Sequence, residues 1–138
     1  MYSIDYKITE DDLDIYKHVN HARYLTIFEK CRWDFGAVIG FDQDYVLREK
    51  KGVVIVDLNI NYMREARLGD EFKVTLKAEL GPKDTVLYHH ELVHKDRAKV
   101  YCKETVTGVI MDLETRRKVA VPEVFSEALN DYIKSLDN

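Results

Sequence analysis

At 138 residues the chain has room for one domain with a real core and none for a second catalytic lobe. A composition of 46% hydrophobic and 33% charged residues is that of an ordinary globule, and a net charge of -4 argues against broad electrostatic binding to nucleic acid while leaving room for a local basic patch. No apolar run approaches a membrane span and the start lacks a signal-peptide core, so no membrane insertion is expected, and the cytoplasm is the default address. Cys31 and Cys102 fit buried thiols in a reducing compartment.

Residues 2–8 alternate, with Tyr2, Ile4, Tyr6 and Ile8 on one side and Ser3, Asp5 and Lys7 on the other, which predicts a half-buried strand. A polar loop follows, carrying Asp12, Asp14 and His18, and Asn20 is a good N-cap for the helix behind it. In that helix Tyr24, Phe28, Cys31, Phe35 and Val38 recur at steps of four and three, Leu25, Ile27 and Ile39 widen the face, and Gly40 is a plausible stop. Residues 41–52 read as a connection with room for a short helix. Next comes an alternating run with Val54, Val56, Leu58, Ile60 and Tyr62 on one face, then a turn at Gly69-Asp70. A strand follows with Phe72, Val74, Leu76, Ala78 and Leu80 on one face. Turns at 81–84 and 95–97 set off two more strands, and 112–118 reads as another polar turn. Pro122 can open a closing helix with a stripe of Phe125, Ala128, Leu129, Tyr132, Ile133 and Leu136.

Short turns between successive strands imply antiparallel pairing, and a sheet with one apolar face needs a cover. The expected fold class is therefore α+β: an antiparallel sheet of about five strands wrapped around one long central helix, with a C-terminal helix, as a single domain over 1–138. No internal repeat is present.

Asp14 lies a few residues before a helix N-terminus, where free amides and the macrodipole attract negative charge. A carboxylate that manages water beside amides that hold an oxyanion is the equipment of acyl-group hydrolysis. The same carboxylate could equally serve only to shape the turn. Asp12 is expected in solvent. His18 can position a ligand or fix the loop. Glu29 and Arg32, three apart on the helix, can pair, and Trp33, off the main stripe, suits an interface or a channel. His90-Glu91-x-x-His94 matches a zinc-protease pattern that works only on a helix; on the strand expected here the imidazoles would stand about 13 Å apart. No Gly-rich phosphate loop, Cys-x-x-Cys pair or G-x-S-x-G elbow occurs, so nucleophilic serine or cysteine catalysis is unsupported, and no metal is expected.

The string Asp14-Ile-Tyr-Lys-His18-Val-Asn20-His21-Ala-Arg-Tyr24-Leu, followed by Glu29 and Arg32-Trp33-Asp34, resembles the signature of hotdog-fold acyl-CoA thioesterases. The closest resemblance is to the long-chain acyl-CoA branch of the 4-hydroxybenzoyl-CoA thioesterase superfamily. Asn59-Ile60-Asn61-Tyr62, Leu68-Gly69-Asp70 and Asp112-Leu-Glu-Thr are similar to further family signatures. The resemblance implies Asp14 as the catalytic carboxylate and the backbone amide of His21 as the donor that polarises the thioester carbonyl. His18, Asn20, Tyr24, Phe28, Glu29 and Tyr62 would contact or support the substrate. It further implies a homodimer or homotetramer with sites at the subunit interface, and no cofactor beyond the CoA of the substrate. His21 departs from the family, which usually has a second asparagine there. A carrier-protein thioesterase and a non-catalytic acyl-CoA-binding protein are the rival readings.

Overall fold

The opening alternation folds as β1 (Tyr2–Lys7), and a single 3-10 turn, Glu10–Asp12, leads into the polar loop. Then come α1 (His21–Ile39), α2 (Gln43–Glu49), β2 (Lys51–Tyr62), β3 (Glu71–Leu80), β4 (Thr85–His94), β5 (Val100–Asp112), β6 (Arg117–Val119) and α3 (Glu123–Ser135). This is a computed structural model, and it describes residues 1–136. The strands join in the order β1-β3-β4-β5-β2, with β6 added to β5. β1 runs antiparallel to β3, Tyr2 opposite Leu76 and Lys7 opposite Glu71.

The α+β class and the five long strands agree with expectation; β6 does not, because 112–118 is not all turn. Asp112 Oδ1 accepts from the amides of Glu114 and Thr115, and Arg116 takes a left-handed conformation. That reversal is tight enough for Arg117–Val119 to pair back onto β5.

The chain forms two compact units. The first comprises residues 1–32, 59–77 and 89–105. In its part of α1 Tyr24, Ile27, Phe28 and Cys31 are buried, as are Phe72, Val74 and Leu76 of β3. Cys31 Sγ lies 3.7 Å from the Val74 carbonyl, and the Phe28 ring stacks on His90. Full burial of each such side chain contributes roughly 1.5–3 kcal/mol, so this helix face is the main anchor of the unit.

The second unit comprises residues 33–58, 78–88 and 106 onward. Gly40 ends α1 at φ +80, where a side chain would be strained, and the Phe41 amide returns to the Gly36 carbonyl at 2.8 Å. That cap delivers Phe41 to a cluster with Tyr45 and Phe125, while Phe35 meets Tyr132 edge-on. Val38, expected on the buried stripe, is exposed. Pro122 is the N-cap of α3, one residue outside the helix. The stripe of α3 is also narrower than its sequence suggests. Phe125 and Leu129 are buried, but Ile133 and Leu136 face out.

β2 departs furthest from expectation. Its alternation predicts one covered face, yet Ile55, Val56, Leu58 and Tyr62 are all exposed. The cause is position: β2 ends the sheet and pairs only with β5, so its outer edge has no strand beside it among the described residues. No helix among the described residues is long and apolar enough to cross a membrane.

Candidate active site

The polar loop is a small hairpin. Leu13 and Val19 form a bridge, the Asp14 amide donates to the His18 carbonyl at 2.9 Å, and the Asn20 amide donates to the Asp12 carbonyl at 3.1 Å. Lys17, in a left-handed conformation, turns the tip. Asp14 therefore sits at the neck of one leg, and the other leg runs straight into α1. Its carboxylate is half-buried. Oδ1 accepts from the Tyr16 amide at 2.8 Å, which fixes the side chain, and Oδ2 accepts no hydrogen bond among the described residues.

Asn20 caps α1 as expected: its side-chain oxygen accepts from the Ala22 amide at 2.9 Å and its carbonyl from Arg23 at 2.9 Å. The His21 amide makes no hydrogen bond among the described residues. The His21 carbonyl takes the Tyr62 hydroxyl at 2.9 Å, and Tyr62 meets the ring of Tyr24 edge-on. The Tyr24 hydroxyl in turn accepts from the Ala66 amide. His18 reaches out to Glu65, its Nδ1 3.5 Å from Oε1.

Asp14, His18, Asn20, His21, Tyr24 and Tyr62 are thus brought together around the start of α1. Phe28 lies one turn deeper and is fully buried against His90. Glu29 is exposed and does not pair with Arg32; Arg32 turns to the sheet instead, its Nη1 3.0 Å from Glu104 Oε1.

Asp12 is the other correction. It is buried, not solvated, because it holds the hairpin to the rest of the unit. Oδ1 accepts from the Tyr6 hydroxyl and the Arg23 guanidinium, and Oδ2 from the Thr9 amide at 2.9 Å. Burial works against its charge, but the Thr9, Arg23 and Tyr6 hydrogen bonds together outweigh it and hold the carboxyl below the usual range.

His90 and His94 lie on a strand and share its buried face, which removes the helical zinc motif. Each ring is engaged in a separate network. His90 Nδ1 meets the Thr75 carbonyl at 2.9 Å, and its Nε2 receives Arg32 Nη1 at 3.2 Å. Those partners define the neutral ring protonated on Nδ1. Burial first, then the neighbouring guanidinium, pushes its pKa down to about 3. Glu104, also buried, is pushed up to about 7 by burial, with Arg32 pulling the other way, and its Oε2 has no hydrogen-bond partner among the described residues. Burial and the nearby Glu104 push the Cys102 thiol up to about 12, so it is no nucleophile at neutral pH.

Sequence reasoning missed the Arg32–His90–Glu104 group, although a signal exists. Cys102, Glu104, Val106 and Ile110 share the buried parity of β5, and a carboxylate in that row needs an internal cation.

The sequence profile of the thioesterase-like superfamily matches residues 8–129. The chain belongs to the thioesterase-like superfamily and is a thioesterase of the hotdog fold. It is 31% identical over 129 residues to the long-chain acyl-CoA thioesterase FadM of Escherichia coli, covering 93% of this chain and 96% of that one. It is 28% identical over 130 residues to the acyl-CoA thioesterase YbgC of Haemophilus influenzae, covering 94% of each. Slr0204, a 1,4-dihydroxy-2-naphthoyl-CoA thioesterase from Synechocystis, superposes with a TM-score of 0.87 over 99% of this chain and 98% of its own, at 17% identity.

Proposed function

We propose that this protein hydrolyses acyl-CoA thioesters to a free carboxylic acid and CoA, with Asp14 and the His21 amide as the catalytic pair. The observation that carries the reading is their placement. A side chain fixed through one oxygen and open at the other stands on one leg of a hairpin whose second leg enters α1 at an amide without an acceptor. Relatives named as acyl-CoA thioesterases support the substrate class.

In this reading the thioester oxygen points at the His21 N–H. Asp14 Oδ2 takes a proton from water, whose oxygen adds to the carbonyl carbon. The resulting oxyanion is held by the amide and the positive end of α1, and collapse breaks the C–S bond to release the CoA thiolate. A single such donor contributes roughly 3–4 kcal/mol, and general-base assistance two to four decades in rate. Direct attack by Asp14 to form a mixed anhydride would use the same geometry; label found in the Asp14 side chain after single turnover in ¹⁸O-water would establish that route, with water cleaving the anhydride at the Asp14 carboxyl carbon, since general-base attack never labels Asp14. The Tyr24 and Tyr62 rings supply an apolar wall at the mouth, and His18 and Asn20 keep the hairpin and helix start in register.

The active form is a homodimer or homotetramer built on the open edge of β2. Support comes from the exposed row of Ile55, Val56 and Leu58 on an unpaired strand edge, a combination that a lone subunit would leave open to aggregation.

Thiol release measured across acyl-CoA chain lengths tests the reading. Asp14→Asn should lower kcat at least a hundredfold with the fold and assembly intact. Retention of most of the activity would remove Asp14 from the mechanism.

A further inference from the structure

Three guanidinium groups share a groove with two carboxylates, an excess of positive charge in the segment that follows Tyr62. Arg64, Glu65, Arg67, Asp70, Arg97 and Tyr101 line a groove of about 440 Å³, a size within the roughly 300–1,000 Å³ of small-molecule sites. The groove is built around Tyr101, itself buried and packed on Phe72 and His94. The Tyr101 carbonyl accepts the amides of Met63 and Arg64, and its hydroxyl accepts Arg97 Nη1 at 2.8 Å. Tyr101 thereby anchors the Arg64 backbone through its carbonyl and the Arg97 side chain through its hydroxyl.

The two carboxylates of the lining are already engaged. Asp70 accepts the Arg67 amide at 2.9 Å and faces His94 Nε2 at 3.4 Å. Glu65 faces His18 at 3.5 Å and only loosely reaches Arg67, at 4.0 Å. Arg64 has no side-chain partner among the described residues, and Arg97 is bonded to a neutral phenol. In a chain of net charge -4, two guanidinium groups without a carboxylate partner among the described residues, Arg64 and Arg97, beside a third only loosely paired, make a local anion trap. The planar fork of arginine matches two phosphate oxygens at once, which a point charge does not. The groove also adjoins the candidate active site through its own segment: Tyr62 holds the His21 carbonyl, Ala66 the Tyr24 hydroxyl, and Glu65 the His18 ring.

We infer that the Arg64–Arg67–Arg97 groove is the phosphate subsite of this protein, taking the phosphorylated nucleotide end of the CoA ester. The inference rests on the acyl-CoA reading for the identity of the ligand, and on the groove alone for its chemistry.

Two measurements test it. Titration calorimetry with adenosine 3′,5′-bisphosphate should show saturable binding to the wild-type protein, at least tenfold weaker in Arg64→Ala and in Arg97→Gln, with partial recovery in Arg64→Lys. Thiol release should be compared between an acyl-CoA and the same acyl group on pantetheine, which lacks the nucleotide phosphates. The wild type should prefer the CoA ester, and that preference, as a ratio of kcat/KM, should fall at least tenfold in Arg64→Ala. Equal bisphosphate binding by wild type and variants, or an unchanged preference ratio, would overturn the inference. Failure to release thiol from either ester would refute the thioesterase reading instead, and the calorimetry would then decide the groove by itself.

Discussion

Replacing Glu104 by glutamine should convert a protein whose stability is nearly flat in mild acid into one that weakens steadily there. Glu104 sits at about 7 when folded, above its ordinary 4.5, so the stability it contributes is present below pH 4.5 and lost as pH rises through 7. His90 sits at about 3, below its ordinary 6.5, so its contribution is present above pH 6.5 and lost as pH falls toward 3. Between 4.5 and 6.5 the folded pair carries one proton, on Glu104, and the unfolded pair also carries one, on His90. The slopes cancel. Glu104→Gln removes one side of that balance, and each pH unit below 6.5 then costs about 1.4 kcal/mol, or about 3 kcal/mol between pH 7.5 and 4.5 relative to wild type. Urea unfolding at fixed protomer concentration, followed by Trp33 fluorescence at several pH values, measures the difference directly. His90→Gln should tilt the curve the other way by a similar amount. Parallel pH profiles for Glu104→Gln and wild type, within about 0.5 kcal/mol, would refute the assigned protonation of the buried group.

Val56→Lys places a charge on the open edge of β2 and should turn the proposed dimer or tetramer toward monomers by sedimentation or light scattering, while leaving protomer secondary structure intact. An unchanged mass would show that β2 is not the joining edge. Gly36→Ala should destabilise by about 1–3 kcal/mol, because the added methyl would stand 2.6 Å from the Phe41 carbonyl oxygen, which is backbone and cannot rotate away. A melting temperature equal to that of wild type would mean that the α1 cap relaxes more freely than its geometry indicates.

Elements with one covered face were legible from sequence. β3 and β4 alternate because one side of each is covered; the inward residues of β3 are the apolar ones, while β4 buries His90 and His94 beside Val86, Tyr88 and Leu92. β2 carries the same alternation, but burial is a property of its neighbours, and at the sheet edge it has one strand, β5, beside it rather than two. The site hairpin was legible in part. Asn20 announced the helix start and Asp14 its own turn, since both act over two residues. Asp12 was misread because its partners Tyr6 and Arg23 lie on either side of the loop, and only the folded hairpin brings them to one carboxylate. Arg32, His90 and Glu104 come from three different elements, and no local spacing could have joined them.

Asn20 also decides what sort of anion α1 can receive. Its side chain and its carbonyl satisfy the amides of Ala22 and Arg23, which subtracts two donors from the cluster that a helix start ordinarily offers. A phosphate, with three oxygens to satisfy, finds too few amides there to be held well. One developing oxygen on a trigonal carbon needs only one. On the proposed mechanism the helix start selects by scarcity, leaving polyanions to the arginine groove inferred above and its remaining amide to a single carbonyl.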